Sequence, residues 1–394
     1  MGEAIVVKRG SGFVTIMFDN YKVYSDTLNR STPTALSTAR RELVGTSVGD
    51  YALFAGGYKG SYSDAVDAYN QSLVRSVPTI LSVARTNMGA ANVGNYALFA
   101  GGWGGGSYRS TVDAYNTSLQ RSTPTKLSAA VSLLAGASVG NYALFAGGET
   151  ESNAYSNVVN AYNTSLERSL PTGLSVARAW LAGASVGDYA LFAGGGYTGS
   201  YSSVVDAYDT DLTRTTPTAL STARRELAGA SVGDYALFAG GYNGSASAVI
   251  DVYNTSLERS TPITLSVARY QLTGTSACGY AIFAGGYTGS GYSAVVDAYD
   301  TSLTRSTPTA LSAARNLLAG TSVGDYALFA GGYTGSYSSV VDAYTILMFL
   351  RIPITSGSKY KLNSDTETTA TTNKVLEIFT PISGYIKYKG GKFE

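Results

Sequence analysis

The stretch Tyr-Ala-Leu-Phe-Ala-Gly-Gly at residues 51–57 recurs six more times along this chain of 394 residues. The further copies begin at Tyr96, Tyr142, Tyr189, Tyr235, Tyr280 and Tyr326, and the copy at Tyr280 has Ile in place of Leu. Successive copies start 45, 46, 47, 46, 45 and 46 residues apart. So even a period indicates that one small structural unit was duplicated and set side by side.

Each repeat carries signals for four short antiparallel strands. In the copy from Arg224, a first strand rich in Gly, Ala and Ser (224–232) leads to a Gly-Asp turn and the apolar second strand at 235–241. A two-residue Gly-Asp loop between apolar runs is typical of a type II′ β-hairpin. The third strand is predicted at 249–253 and the fourth around 257–259. Four such strands in about 46 residues are typical of one blade of a β-propeller.

The second strand is apolar at every position and does not alternate with polar residues, as in Ala236-Leu237-Phe238-Ala239. A continuous apolar run indicates a strand that is buried on both faces. Blades that stack face to face bury their middle strands in this way, so the pattern favours a propeller.

The repeats resemble those of the kelch family. The resemblance lies in the diglycine after an apolar strand, the Val-Asp-Ala-Tyr of the third strand and the Arg that opens each unit, and it covers about residues 24–344. It implies a β-propeller. In the fourth strand, however, Arg followed by Ser stands near the place of the kelch Trp. The resemblance implies no single function, since kelch propellers occur in enzymes and in binding proteins.

The count of strands predicts an all-β, seven-bladed, kelch-type propeller that is closed by an N-terminal strand. The last blade takes its first three strands from about 316–344 and its outer strand from about 25–32, which removes an open sheet edge. The predicted domains are the propeller at 21–344 and a small β anchor module built from both ends of the chain, with N-terminal strands at 1–20 and a C-terminal part at 345–394.

Charged residues repeat inside the units and predict structural ion pairs. The third strands carry Asp67, Asp113, Asp206, Asp251, Asp297 and Asp342, and the units open with Arg40, Arg85, Arg178, Arg224, Arg269 and Arg315. A ring of carboxylates for metal binding or catalysis is the alternative interpretation. The third repeat lacks both charges, with Val131 and Asn160 in their places. This joint loss favours pairing, because a buried charge left alone is costly; the partner of each Asp is either this Arg or, as for Asp206, the Arg of the next strand, Arg214.

The copies differ mainly in the loops between strands two and three and in the links that open each unit. In an up-and-down blade these segments lie on one face, and they contain both tryptophans of the protein. The predicted ligand-binding residues on this face are Arg41, Trp103, Arg109, Glu149, Trp180, Arg225, Tyr270 and Asn316. Aromatic and amide side chains around a shallow funnel suit a sugar or a protein epitope. The alternative is drift at loop positions that tolerate change.

Composition excludes several classes of function. The chain has no histidine and a single cysteine, Cys278, so it lacks the side chains of Ser-His-Asp and Cys-His catalysis and of the usual zinc and copper sites. A copper radical oxidase resembling galactose oxidase needs His ligands, and propeller sialidases need Asp-box repeats that are absent. We therefore expect no enzyme, no metal and no cofactor, with a carbohydrate-active propeller enzyme as the least favoured alternative.

The remaining features favour a binding or structural protein. With 28 Lys plus Arg against 27 Asp plus Glu, no field attracts nucleic acid, and no segment is long enough for membrane insertion. The opening Met-Gly-Glu-Ala-Ile-Val-Val-Lys-Arg-Gly resembles structural proteins from phages of Gram-positive bacteria, and near-identical Tyr/Gly/Ser-rich kelch arrays resemble those of gut phage proteins.

This resemblance implies a virion protein made in the host cytoplasm without a signal peptide. It would be a fibre, tail tip or capsid decoration that contacts other virion proteins through the terminal module and host surface glycan or protein through the propeller loops. A homo-oligomer is possible. The alternative is a cytoplasmic kelch scaffold for a protein partner, although the chain leaves no room for the adjoining domain that eukaryotic scaffolds usually carry.

Overall fold

The computed structural model describes side chains at residues 28–346, except 152, 153 and 198, and backbone strands on both sides of this range. Every regular element of the described residues is a β-strand. The chain divides into two compact units, one of Arg30–Ala343 and one of Met1–Asn29 with Tyr344–Glu394. The predicted all-β fold is confirmed.

Six sheets of four antiparallel strands, and four strands of a seventh sheet that has five, form the blades, which we number 1 to 7 along the chain. The first strands are Val44–Val48, Gly89–Val93, Ala135–Val139, Ala182–Val186, Ala228–Val232, Thr273–Ala277 and Ala319–Val323. The second strands are Tyr51–Ala55, Tyr96–Ala100, Tyr142–Ala146, Tyr189–Ala193, Tyr235–Ala239, Tyr280–Ala284 and Tyr326–Ala330. The repeated heptapeptide therefore supplies the second strand of every blade.

In blades 1 to 6 the outermost strand is short, with only 2 residues. The third strands are Val66–Asn70, Val112–Asn116, Val159–Asn163, Val205–Tyr208, Ile250–Asn254, Val296–Tyr299 and Val341–Ile354. The fourth strands are Arg75–Ser76, Arg121–Ser122, Arg168–Ser169, Arg214–Thr215, Arg259–Ser260 and Arg305–Ser306. In the last sheet the N-terminal strand Lys22–Ser31 pairs with Val341–Ile354, so the predicted closure of the last blade is confirmed. Two loops add short hairpins, Trp103–Gly104 with Ser107–Tyr108 and Gly196–Tyr197 with Ser200–Tyr201.

Alternate side chains of the second strand pack against the two neighbouring blades. Ala52 and Phe54 lie in one apolar cluster with Leu328 of blade 7, whereas Leu53 lies in another with Phe99 of blade 2. All of these side chains are fully buried. The continuous apolar run thus follows from stacking on both faces, and it leaves no solvent-facing position from Ala52 to Ala55.

The diglycine that ends the second strand lets the next segment of chain pass close to it. Gly56 and Gly57 have φ angles of 66° and 109°, a conformation that other residues rarely adopt. A Cβ atom on Gly56 would lie 2.5 Å from the carbonyl oxygen of Arg85, and the Gly57 N–H donates to that same oxygen at 2.9 Å. The diglycine therefore fixes each blade to the link that opens the following one.

The turn between the first two strands of blade 6 differs from those of the other blades. Cys278 and Gly279 both have positive φ, so the turn of blade 6 is of type I′, whereas Gly49 alone is positive in the Gly-Asp turn of blade 1. The pattern Leu-x-Arg-Ser, which marks the fourth strand around 257–259 and recurs from Leu73 in the first repeat, predicts a strand that begins at its Leu. Leu73 instead lies in the preceding turn with a φ of 59°, and its N–H donates to the carbonyl of Asn70.

The unit of Met1–Asn29 and Tyr344–Glu394 contains further strand pairs. Its antiparallel pairs are Glu3–Arg9 with Gly12–Phe18, Lys374–Pro381 with the C-terminal part of Val341–Ile354, Lys359–Tyr360 with Thr368–Thr369, and Tyr388–Lys389 with Lys392–Phe393. In the described residues there is no helix of the length and apolarity needed to cross a bilayer.

Candidate functional site

The links that open the blades and the loops between strands two and three lie together on one face of the propeller, which we call the loop face. Each unit opens at the position of Arg40 or its equivalent. On the loop face, the residue that follows this position forms an antiparallel bridge with the residue that follows the diglycine of the same blade. The bridges are Arg41–Tyr58, Thr86–Trp103, Ser132–Glu149, Ala179–Gly196, Arg225–Tyr242, Tyr270–Tyr287 and Asn316–Tyr333. Six of the eight predicted binding residues are members of these pairs.

The next residue of each link forms an inner ring around the propeller axis. Its members are Glu42, Asn87, Leu133, Trp180, Glu226, Gln271 and Leu317, all with φ between 53° and 59°. The N–H of each member donates to the carbonyl oxygen of the member in the preceding blade, at 2.9 to 3.5 Å, and the Glu42 N–H closes the circle on Leu317. Left-handed backbone at a residue other than Gly is strained, and such strain is commonly found at functional sites.

The inner ring surrounds the mouth of a cavity on the axis. This cavity of about 280 Å³ is lined by all seven members of the inner ring and by the Leu or Met that follows each of them. A second cavity of about 320 Å³ is lined by the first strands, which contribute mainly Gly, Ala, Val and Thr. Side-chain chemistry that differs between blades is therefore concentrated at the mouth.

A belt of aromatic rings lies on the loop face. It consists of Tyr58, Tyr62, Trp103, Tyr108, Tyr155, Trp180, Tyr201, Tyr242, Tyr270, Tyr287, Tyr292, Tyr333 and Tyr337, and we call it the aromatic belt. Rings in direct contact run from Tyr62 through Tyr58, Tyr337, Tyr333, Tyr292, Tyr287, Tyr270 and Tyr242 to Tyr201, with centroids 5.1 to 6.0 Å apart. All thirteen side chains are half-buried, so each is held in place and still exposes part of its surface.

Both tryptophans belong to this belt. The indole Nε1–H of Trp103 donates to the hydroxyl of Tyr62 at 2.6 Å, and its ring lies edge-to-face against Tyr108. Trp180 lies 6.1 Å from Tyr155 between ring centroids and also lines the axial cavity. Burial, and then the neighbouring Glu149, raise the pKa of Tyr108 above its usual value. The tryptophans thus connect the belt, through Tyr108, to Glu149 of blade 3 and, through Trp180, to the mouth.

Two arginines of the loop face lie among these rings. The guanidinium carbon of Arg41 is 4.9 Å from the ring centroid of Tyr333, and that of Arg225 is 5.2 Å from Trp180. Each arginine also contacts the Glu that follows it, with Nε to Oε1 distances of 3.3 Å to Glu42 and 3.4 Å to Glu226. Burial raises the pKa of Glu226, an effect that Arg225 and then a hydrogen bond with the Gln271 side chain partly oppose.

The other predicted binding residues are placed differently. Arg109 folds back on its own loop, and its Nε and Nη2 donate to the carbonyl of Gly104 at 3.0 and 2.6 Å. Tyr270 packs between Tyr242 and Tyr287, and burial raises its pKa. Burial also raises the pKa of Glu149.

Asn316 is 7 % exposed, and its Nδ2 donates to Oε1 of Gln271 in the inner ring at 2.7 Å. Its side chain therefore supports the ring and is not presented to a ligand. The predicted set omitted Glu42, Asn87, Glu226 and Gln271, which the structure places at the mouth. Their signal was present in the sequence, because each is the second residue of a pair that differs between the copies.

The repeated Asp and Arg residues meet as six buried ion pairs. The pairs are Arg40–Asp67, Arg85–Asp113, Arg178–Asp206, Arg224–Asp251, Arg269–Asp297 and Arg315–Asp342, at 2.7 to 2.8 Å and with both side chains fully buried. A second, partly exposed Arg approaches each Asp, such as Arg75 at 3.2 Å from Asp67. A link N–H, such as that of Ser37 to Asp67 at 2.8 Å, completes the network. The six paired guanidinium groups and carboxylates are buried inside the blades.

Blade 3 shows how the fold accommodates the loss of this pair. Asn160 keeps the hydrogen bond from the link, since its Oδ1 accepts the N–H of Ser128 at 3.0 Å. Arg168, which stands where other blades have the second Arg, donates to the carbonyl of Lys126 at 3.0 Å. The neutral pair thus retains the link contact without a buried charge. Among the described residues no group of three His, Cys, Asp or Glu side chains could hold a metal ion.

The fold has counterparts among solved structures. It is similar to a structure entitled "Structure of YjhT", with a TM-score of 0.52 and 13% sequence identity, over 80% of this chain and 96% of that one. In all, 484 chains of solved structures match, so the fold alone does not assign a function. No protein-family model and no curated protein matches the sequence.

Proposed function

We propose that this chain is a kelch-type, non-catalytic binding module that recognises a glycan through its loop face. The observation that carries the proposal is the aromatic belt around a mouth lined by carboxylate and amide side chains. Aromatic rings stack on the apolar faces of sugars, and carboxylates, amides and guanidinium groups bond their hydroxyls. The face combines both chemistries around one shallow cavity.

The aromatic side chains of the loop face are held in place by neighbouring residues, and this preorganisation supports a role in binding. Tyr and Trp give large contact area with few rotatable bonds, so little entropy is lost when a ligand is bound. Contacts such as Trp103 with Tyr62 hold the rings before any ligand arrives. The same chemistry serves protein epitopes, and a protein ligand is therefore the competing outcome of the tests below.

We further propose that the module is displayed on a virion, as a fibre, tail tip or capsid decoration. In this proposal the unit of Met1–Asn29 and Tyr344–Glu394 contacts other virion proteins, and the propeller contacts the surface of the host. The support is the resemblance of the first ten residues to phage structural proteins. Mass spectrometry of purified particles tests it: the protein is expected among the structural components, and its absence from them excludes the virion role.

A glycan array tests the binding function. The wild-type protein is compared with a Trp103→Ala, Trp180→Ala variant, which removes both indoles of the belt. We expect the wild type to bind a defined group of glycans and the variant to lose most of that binding, since stacking on one aromatic contributes about 1 kcal/mol or more. Binding that the variant retains in full excludes this face, and a wild type that binds no glycan excludes the function.

A further inference from the structure

We propose that the sequence Arg-Arg-Glu-Leu, at residues 40–43 of blade 1 and 224–227 of blade 5, builds two equivalent subsites for neutral sugar units on the loop face. This inference rests on the proposed glycan binding and specifies where the sugar is held and which class of sugar it is. The sequence occurs in these two blades only, so the sevenfold pattern of the fold does not require it.

The first Arg of each copy anchors the segment. Arg40 and Arg224 are fully buried and lie 2.8 Å from Asp67 and Asp251 in the interior of their blades. The second Arg and the Glu thereby contact each other at the mouth in both blades. The Nε to Oε1 distances of 3.3 and 3.4 Å in the two copies reflect this equivalence. The surroundings of the two carboxylates differ, since Oε2 of Glu42 accepts from Oγ1 of Thr86 at 3.2 Å, whereas Oε2 of Glu226 has no hydrogen-bond partner.

The second Arg of each copy lies among aromatic rings. The guanidinium carbon of Arg41 lies within 5.9 Å of the ring centroids of Tyr58, Tyr333 and Tyr337.

In blade 5 the rings around Arg225 are Trp180, Tyr201 and Tyr242, with the guanidinium carbon within 5.8 Å of all three centroids. These contacts hold each guanidinium beside aromatic rings. The side chains of Arg41 and Arg225 remain 29% and 34% exposed, so both are open to a ligand.

A donor, an acceptor and an aromatic ring held side by side match two neighbouring hydroxyls of a sugar ring. One hydroxyl oxygen accepts from the guanidinium, the other hydroxyl donates to the carboxylate, and the C–H face of the sugar packs on the aromatic ring. The carboxylates of Glu42 and Glu226 line the same cavity. Oε2 of Glu226 is buried without a hydrogen-bond partner, so a hydroxyl donor would satisfy it.

The charges favour a neutral sugar over an acidic one. Each subsite contains one guanidinium and one carboxylate in contact, so its formal charge is zero. A ligand carboxylate at Arg41 or Arg225 would lie close to the adjoining Glu and be repelled by it. A neutral hydroxyl pair meets no such repulsion.

Saturation-transfer NMR with the methyl glycosides of glucose, galactose and mannose, and with methyl glucuronide, tests the subsites. At least one neutral glycoside is expected to bind the wild type more tightly than the glucuronide. We expect Glu42→Gln and Glu226→Gln each to remove about half of the binding, and the double variant to weaken it about tenfold, as for loss of a charge-assisted hydrogen bond. Glu167→Gln, at an exposed turn outside the loop face, is the control and should change nothing.

The melting temperature of each variant is measured alongside, and Arg41→Lys with Arg225→Lys, which keeps charge but removes the planar donor, replaces a variant that does not fold. Unchanged binding in the double variant overturns the two subsites, and so does preferential binding of the glucuronide. If no monosaccharide binds while the glycan array is positive, the subsites alone are overturned; if the array is also negative, the proposed function falls with them.

Discussion

Nη2 of Arg40 lies 2.8 Å from Oδ2 of Asp67, and neither side chain is exposed to solvent. Burial lowers the pKa of the guanidinium, and the carboxylate of Asp67 opposes that shift. Six blades contain this pair, and blade 3 replaces it with Val131 and Asn160. Blade 3 thus shows an uncharged pair of residues at the positions that the ion pair occupies in the other six blades.

Removing one charge of this pair is expected to destabilise the propeller strongly. Asp67→Asn leaves Arg40 buried without its counter-ion, and breaking a buried pair in this way costs about 3–5 kcal/mol. The double variant Arg40→Val, Asp67→Asn copies blade 3 and should recover most of the loss. Urea unfolding measures both. A double variant as unstable as the single one would contradict the pairing argument.

Because the seven inner-ring residues have left-handed backbone, substitutions at these positions should affect stability according to how well the new residue tolerates a positive φ. Leu133 has a φ of 59° and takes part in the ring of hydrogen bonds. Leu133→Ile should lower the free energy of unfolding by about 1–2 kcal/mol, because a β-branched residue is strained there, whereas Leu133→Asn should cost little. Leu134→Ile, at the adjacent buried position, controls for branching alone. Equal effects at the two positions would argue against strain in the ring.

Glu226 predicts a dependence of stability on pH. Its pKa is raised in the folded protein by burial, so the folded state binds this proton more tightly than the unfolded state does. The destabilising effect is therefore absent below the unfolded pKa and grows as the pH rises through the folded pKa. Glu226→Gln should stabilise the protein at pH 7 relative to wild type, with the advantage disappearing towards pH 4.

Thermal unfolding of both proteins across this range, with Glu167→Gln as the control, measures the effect of Glu226. If the Glu226→Gln variant were stabilised most at low pH, this result would contradict a raised pKa of Glu226.

Both tryptophans of the chain lie in the aromatic belt, so intrinsic tryptophan fluorescence reports on the loop face alone. Addition of the glycan that binds best on the array should change the emission of the wild type. Trp180→Phe should lose the larger part of this change, because Trp180 also lines the axial cavity, and Trp103→Phe the smaller part. An unchanged spectrum at saturating glycan would place the ligand away from the belt.

The sequence predicted the fold well because its decisive signals are local. The apolar second strand, the Gly-Asp turns and the diglycine each depend on a few adjacent residues, and repetition makes them unmistakable. The prediction that the fourth strand begins at Leu73 was wrong, because nothing in Leu-x-Arg-Ser indicates a positive φ at the leucine. A Gly or Asn there would have revealed it.

The site was predicted only in part because its contacts cross between repeats. Arg41 of the first blade lies beside Tyr333 and Tyr337 of the last, almost 300 residues further along the chain. The inner ring depends on a left-handed backbone, which residue types such as Glu42 and Trp180 do not predict. The side chain of Asn316 hydrogen-bonds Gln271 of the neighbouring blade. Such relationships follow from ring closure and not from any single stretch of sequence.

Hydrogen–deuterium exchange with the best glycan from the array tests the central claim most directly. We predict slower exchange in the links and loops of the loop face, above all around residues 41–43, 58–62, 225–227 and 333–337, with no change in the turns around residues 49–50 and 71–74. Protection confined to those turns, or to segments outside the propeller, would contradict the assignment of glycan binding to the aromatic belt and the inner ring.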